Sequence, residues 1–286
     1  MSDHPSTIPR IGAFIVPDAT DPVATLGQIV MADESGLDLV ALQDHPYQRR
    51  FFDTWTLLSY AAARTERVQL VTDVANLPLR PPAVLAKSAA SLDVLSGGRV
   101  ELGLGAGGFW DAIVAAGGPR RDPKEAVDAL VEAIGILRGS WDSSSAINRS
   151  GPHYDIRGFH PGPPPAHRIG IWLGAYGPRM LRVAGQLAAG WLPSLGDYLS
   201  QEEALLGQQV IDEAARAAGR NPGDVTRAVN VTASAHDPAP IVEQLVQIVE
   251  DLRFETLLVG VPGDDPIAFV RQLGDEVAPA VRAHFS

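Results

Sequence analysis

The stretch Gly98-Arg99-Val100-Glu101-Leu102-Gly103-Leu104-Gly105-Ala106-Gly107-Gly108-Phe109-Trp110 decides how the rest of this 286-residue chain is read. Val100, Leu102 and Leu104 alternate with smaller or polar residues, and the run then dissolves into glycines. That pattern marks a buried strand opening onto a loop where something approaches the backbone. Gly103, Gly105 and Gly108 also fit Gly-x-Gly-x-x-Gly, so a dinucleotide-binding fold has to be weighed. Its fingerprint needs a helix beginning at the third glycine and an acidic residue ending the next strand about twenty residues on. Here that distance falls inside a helical stretch, Pro123 to Arg138, and the Rossmann reading is rejected.

Outward from this stretch, strands and helices alternate. Apolar runs at 11–16, 37–42, 68–74, 169–173, 190–192, 226–231 and 256–261 read as strands beside the opening one. Helical patterns follow them, several opened by a proline: 22–36, 53–65, 82–95, 123–139, one from Pro178, 201–218, 241–252 and 266–273. Between the fourth helix and the fifth strand, 140–168 holds Ser143-Ser144-Ser145, Gly151-Pro152 and Pro161-Gly162-Pro163-Pro164-Pro165. It reads as an inserted loop region with at most a short hairpin around 153–156, of the kind that often forms a lid. Alternating βα units imply parallel strands. The expected fold is α/β: a (β/α)8 TIM barrel forming one domain over 1–286, with the insertion between strands four and five. Sequence order alone leaves an open doubly wound sheet as the alternative. In both, ligands bind beyond the carboxyl ends of the strands.

Composition narrows the function. Hydrophobic residues make up 45% and charged residues 20%, the balance of an ordinary globular protein. The absence of cysteine excludes disulfides, cysteine nucleophiles and thiolate metal sites, and no metal site is expected. The first ten residues lack the apolar core of a signal peptide and no stretch reads as a membrane span, so a cytoplasmic protein is the default. A formal charge of −11 without a concentrated basic face disfavours nucleic acid as a partner.

The loops after strands two to five contain the chemistry: Asp44 and His45; Asp73, Val74 and Asn76; Gly105, Ala106, Gly107, Gly108 and Trp110; Ala175, Tyr176, Gly177, Pro178 and Arg179. Singly, a loop histidine is an ordinary surface group and Asp44 a turn cap; together they converge on one mouth. Trp110 reads either as an apolar wall or as a plane beside a flat cofactor. The small residues from Gly174, with Pro178 opening a helix, suit a phosphate, to which Arg179 could add a charge-assisted bond. The same turn also reads as an ordinary strand-to-helix connection.

Four stretches, in order, carry a resemblance: Leu42-Gln43-Asp44-His45-Pro46-Tyr47; Asn76-Leu77-Pro78-Leu79-Arg80-Pro81-Pro82; Asp93 through Gly105; and Trp172-Leu173-Gly174-Ala175-Tyr176-Gly177-Pro178-Arg179-Met180-Leu181. Together they resemble the bacterial luciferase-like flavin-dependent oxidoreductases, over nearly the whole chain. The resemblance implies a dimeric TIM barrel binding coenzyme F420 or FMN, with a non-proline cis peptide at Asp73-Val74 or one bond earlier. Asp-His after strand two is similar to the F420 branch, in which the histidine lies near the reactive ring carbon. The resulting expectation is hydride transfer between coenzyme F420 and a small organic substrate, with His45 exchanging a proton, Asp44 orienting it or bonding the ring, and the other loop residues holding the cofactor. The alternatives are an FMN monooxygenase fed by a separate reductase and a flavin-binding protein without catalysis. Gly107-Gly108-Phe109-Trp110 stands where sugar-phosphate dehydrogenases of this family place a glutamate, so their substrate does not transfer.

Overall fold

The computed structural model describes residues 8–261 and 265–286. The leader reading made from the first ten residues falls on 1–7, outside the described residues, apart from 8–10. In chain order the elements are β1 Arg10–Ile15, α1 Pro22–Glu34, β2 Leu39–Leu42, α2 Thr54–Ala62, β3 Gln69–Thr72, β4 Ala75–Asn76, α3 Pro82–Ser96 and β5 Val100–Gly105. Then follow α4 Trp110–Ala115, α5 Pro123–Asp142, β6 Ile147–Ser150, β7 Asp155–Phe159, β8 Ile171–Leu173, α6 Pro178–Leu187, β9 Gly190–Trp191 and α7 Gln201–Ala217. The chain continues through β10 Thr226–Thr232, α8 Pro238–Leu252, β11 Thr256–Gly260, α9 Pro266–Gln272 and, after a π turn, α10 Ala278–His284.

Neighbouring strands run β3, β2, β1, β11, β10, β9, β8, β5, and the β3–β5 pairing closes the ring. All of these pairings are parallel, which excludes the open sheet. β3 and β4 are two pieces of one strand, so the closed barrel has eight strand positions. Closure explains why most of the strands, though not β5, read as apolar runs rather than alternating ones: both faces are covered. Leu39, Ala41, Val71, Trp172, Leu192, Ala228 and Leu258 fill the inside of the barrel. Val40, Leu42, Leu70, Leu257 and Val259, the intervening positions, pack outward against the helices.

The third strand departs from its expected span of 68–74. Val71 pairs with Glu101 but Ala75 pairs with Leu104, so Thr72, Asp73 and Val74 face only Leu102 and Gly103. This is a bulge, and the Asp73-Val74 peptide inside it is cis, where the family resemblance placed it. Gly103 makes the bulge possible, since a Cβ there would stand 1.9 Å from the Thr72 carbonyl oxygen.

Helix starts follow the capping chemistry. Asp122 and Glu125 form a reciprocal capping box, as do Ser200 and Glu203. The structure also adds elements. α4 occupies part of what reads as loop after strand four, and α10 extends the chain's last helical segment beyond Leu273. Gly274, just past the expected end of the last helix at 273, serves close packing, because a Cβ there would meet Ser35 Oγ at 2.1 Å. In the 140–168 region, α5 runs on to Asp142 and β6–β7 form an antiparallel hairpin longer than expected.

Candidate active site

Asp44 follows β2 directly and its side chain is fully buried. Its Oδ2 accepts from the Asn76 backbone N–H at 2.9 Å and from Arg80 Nε at 2.8 Å, while Oδ1 accepts from Arg80 Nη2 at 2.6 Å. Arg80 also donates to Asp53, the N-cap of α2, at 2.6 Å. Burial opposes the guanidinium charge, but the two carboxylates override it and hold the Arg80 pKa above its ordinary value. The expected bond from Asp44 to His45 is absent. A carboxylate this deeply buried needs a cation, and Arg80 takes both its oxygens. Asp44 therefore ties the loop after β2 to the one after β4.

His45 is half-buried and faces aromatic neighbours. The Tyr47 and Phe109 rings lie 5.5 Å from its ring and Phe51 lies 6.4 Å away, with Tyr47 Oη 3.4 Å from Nδ1. Burial lowers its pKa from 6.5, partly countered by Asp44, so the imidazole is neutral at pH 7. Burial also pushes the Tyr47 phenol up to about 12, with Asp44 adding to the shift.

Asp73 sits in the bulge with only 8% of its surface exposed. Asn230, on β10, donates from its amide to Asp73 Oδ1 at 3.1 Å and to Ser194 Oγ at 3.2 Å. Asp73 Oδ2 and Asn230 Oδ1 are buried and find no hydrogen-bond partner among the described residues. Desolvation raises the Asp73 pKa to about 7, against the opposing Asn230 bond.

These side chains line a cavity of about 560 Å³ at the carboxyl end of the barrel, together with Val74, Asn76, Gly105 to Phe109, Tyr176, Gly177 and Tyr198. Beside it lies a cleft of about 780 Å³ lined by Trp110, Lys124, Val127, Pro178 and Arg179 among others. Ala106, Gly107, Gly177 and Met180 line both. Gly107 adopts φ +105°, and a Cβ on it would lie 2.7–2.8 Å from Pro78 and Trp110.

Most of the expected site residues thus share this mouth, with corrections. Trp110 begins α4 and lines the side cleft, leaving the wall beside His45 to Phe109. Ala175 lines neither space: it is wholly buried and its carbonyl accepts from Trp191 Nε1 at 2.8 Å. Arg179 faces the cleft but is ion-paired with Asp128, and donates to the Lys124 carbonyl at 3.0 Å. Tyr47, Phe109, Ser194, Tyr198 and Asn230 lie outside the expected set. The signal for Asn230 was its polarity inside the apolar run Ala228-Val229-Asn230-Val231.

A closed parallel barrel with its polar groups gathered at the carboxyl mouth defines the class of protein. A model of the luciferase-like monooxygenases matches residues 6–274, and the chain belongs to that family. An F420-dependent glucose-6-phosphate dehydrogenase of Intrasporangium calvum is 28% identical, over 91% of this chain and 95% of the relative. Among solved structures, an F420-dependent secondary alcohol dehydrogenase in complex with an F420-acetone adduct has a TM-score of 0.83 at 19% identity, covering 96% of this chain and 99% of its own. The oxygenating constituent of a Pseudomonas putida diketocamphane monooxygenase, in complex with FMN, has a TM-score of 0.76 at 19% identity, covering 96% and 98%. These two likenesses are of fold. No helix among the described residues is long and apolar enough to cross a membrane.

Proposed function

We propose that this chain is a coenzyme F420-dependent oxidoreductase whose central cavity takes the deazaflavin ring and a small organic substrate, and whose side cleft takes the phosphate and tail. The carrying observation is the joined pair of spaces: a half-buried histidine and buried polar groups line one, and Lys124 and Arg179 line the other. The residues fit such a group. Asn230 Oδ1, buried and without a partner among the described residues, can accept an N–H from a ring edge, and Gly107 and Gly177 lie on the lining of both spaces, where the backbone presents no side chain to a ligand that spans them. The relative named as F420-dependent spans nearly the whole chain, which favours F420 over FMN.

When bound, coenzyme F420 supplies hydride transfer at a ring carbon. The protein's task is to hold the reactants together, exclude water and move protons. His45, neutral at pH 7 and on the cavity wall, takes the proton released when a substrate hydroxyl is oxidised and returns it in reverse. Gly177 and the first turn of α6 receive the phosphate, with Arg179 and Lys124 at the side. Cytoplasmic residence and a homodimer belong to the same proposal. The exposed apolar residues Tyr60 on α2 and Val84 and Leu95 on α3 support the dimer.

Titration with coenzyme F420 and with FMN tests the cofactor. Tight binding of FMN alone, with oxygen consumption, would transfer the reading to a monooxygenase supplied by a reductase. His45→Ala tests the proton role. Single-turnover hydride transfer should fall about 10²–10⁴-fold, while coenzyme affinity weakens by about 1–2 kcal/mol. A folded variant transferring hydride at the wild-type rate removes His45 from the chemistry.

A further inference from the structure

We propose that Asp73 meets the coenzyme ring as a neutral carboxylic acid and holds the proton that the ring nitrogen gains on reduction, an assignment that rests on the functional reading above. The geometry carries it. Asp73 lies on the cavity lining with its carboxyl more than nine-tenths buried, and Asn230 fixes one oxygen through a 3.1 Å hydrogen bond. The other oxygen, Oδ2, is buried without a partner among the described residues. An ionised carboxylate at this place would lack both water and a cation, whereas an acid O–H has a proton to offer whatever occupies the cavity.

The surroundings agree. Among the described residues, the other titratable groups on the lining are Asp44, His45, Tyr47, Tyr176 and Tyr198, and no lysine or arginine lines it. Asp44 is already committed to Arg80. His45 is neutral, and burial raises the phenols of Tyr47 and Tyr176, which stay protonated. No cation at the cavity therefore draws Asp73 into ionisation, and its pKa near 7 leaves it able to give up a proton and regain it.

The step balances as follows. With coenzyme F420 bound to accept the hydride from the substrate alcohol's carbon, His45 would take the proton from its oxygen. Asp73 would give its O–H proton to a ring nitrogen of the bound group, and the carboxylate left behind would keep the Asn230 bond. One proton is taken up at His45 and one released at Asp73, so no further oxidant or reductant is needed. In the reverse direction Asp73 regains the proton. A separate consequence concerns the substrate: with no lysine or arginine among the described lining residues to receive a phosphate, this cavity favours uncharged alcohols and carbonyl compounds over sugar phosphates.

The test uses the full chain, Asp73→Asn and, should that variant not fold, Asp73→Ser. In the cofactor-free protein, infrared spectroscopy should show a protonated-carboxyl band that titrates near neutrality and disappears in the variant. Affinity for oxidised coenzyme F420, followed from pH 6 to pH 8.5, should fall in the wild type relative to the variant by up to about tenfold per pH unit above 7. A band absent above pH 5, or an affinity ratio constant across the range, overturns the Asp73 assignment while leaving F420 binding intact. Failure of both proteins to bind coenzyme F420 at any pH overturns the functional reading and this role with it. Reduction of the bound coenzyme by glucose 6-phosphate would overturn the preference for uncharged substrates.

Discussion

Replacing Arg80 by methionine should unfold this barrel more readily than any exposed charge removal, because Arg80 is the one cation, among the described residues, paired with the fully buried Asp44. The Asp44 side chain is fully buried, and Arg80 gives it two charge-assisted bonds at 2.8 and 2.6 Å. Removing one partner of a buried pair strands the other charge, at a cost of about 3–5 kcal/mol. The bond to Asp53, whose side chain is 43% exposed, adds at most about 1 kcal/mol. Urea unfolding followed by tryptophan fluorescence would measure the loss, with five tryptophans as reporters. Arg80→Met should lower stability by about 3–5 kcal/mol, and Arg80→Met combined with Asp44→Leu should lose clearly less than the sum of the two single changes. A loss below about 1 kcal/mol for Arg80→Met would refute the reasoning, since it would mean Asp44 finds water or another donor.

Asp73→Asn should change the pH dependence of stability. The folded protein binds this proton more tightly than the unfolded chain, so stability is greatest below the unfolded value of 3.8 and falls as pH rises to about 7. That interval corresponds to at most about 4 kcal/mol, so the variant should gain stability over wild type at pH 8 and match it near pH 4; equal slopes in urea titrations would contradict this. Gly103→Ala forces a Cβ against the Thr72 carbonyl oxygen and should cost about 3 kcal/mol or more, or abolish soluble expression. Gly108→Ala, with nothing within 4 Å, should stay within about 1 kcal/mol of wild type by the same measurement. Asp128→Ala releases Lys124 and Arg179 to the side cleft and should tighten binding of inorganic phosphate by up to about fivefold in calorimetry, and unchanged or weaker binding would count against a phosphate site there.

The barrel was legible because its period is local: apolar runs of strand length, proline-opened helices and terminal glycines repeat along the chain. Closure was not, since it resides in the β3–β5 pairing, which no local pattern encodes. The loops that form the mouth could be named from their position after strands. What each side chain does there could not, because the answer depends on residues far away in sequence. Asp44 looked like the partner of its neighbour His45 but is claimed by Arg80, 36 positions on. Asp73 gained its partner from Asn230, 157 positions on. Trp110 and Phe109 are adjacent, and the start of α4 sends one to the side cleft and the other beside His45.

Two adjacent spaces that share part of their lining give the protein a ruler. A ligand with a flat ring at one end and an anion at the other can place one in each space. A rod that reaches from one to the other is held at both ends, and the second contact forms at the high local concentration that the first imposes. Selectivity for a long cofactor over its fragments therefore follows from spacing, without a dedicated contact at every atom. The backbone of Gly107, where a Cβ would collide with Pro78 and Trp110, lines both spaces. Any residue larger than glycine at that one position would disturb the lining of both spaces at once, so a single substitution should weaken a long ligand's hold at both of its ends.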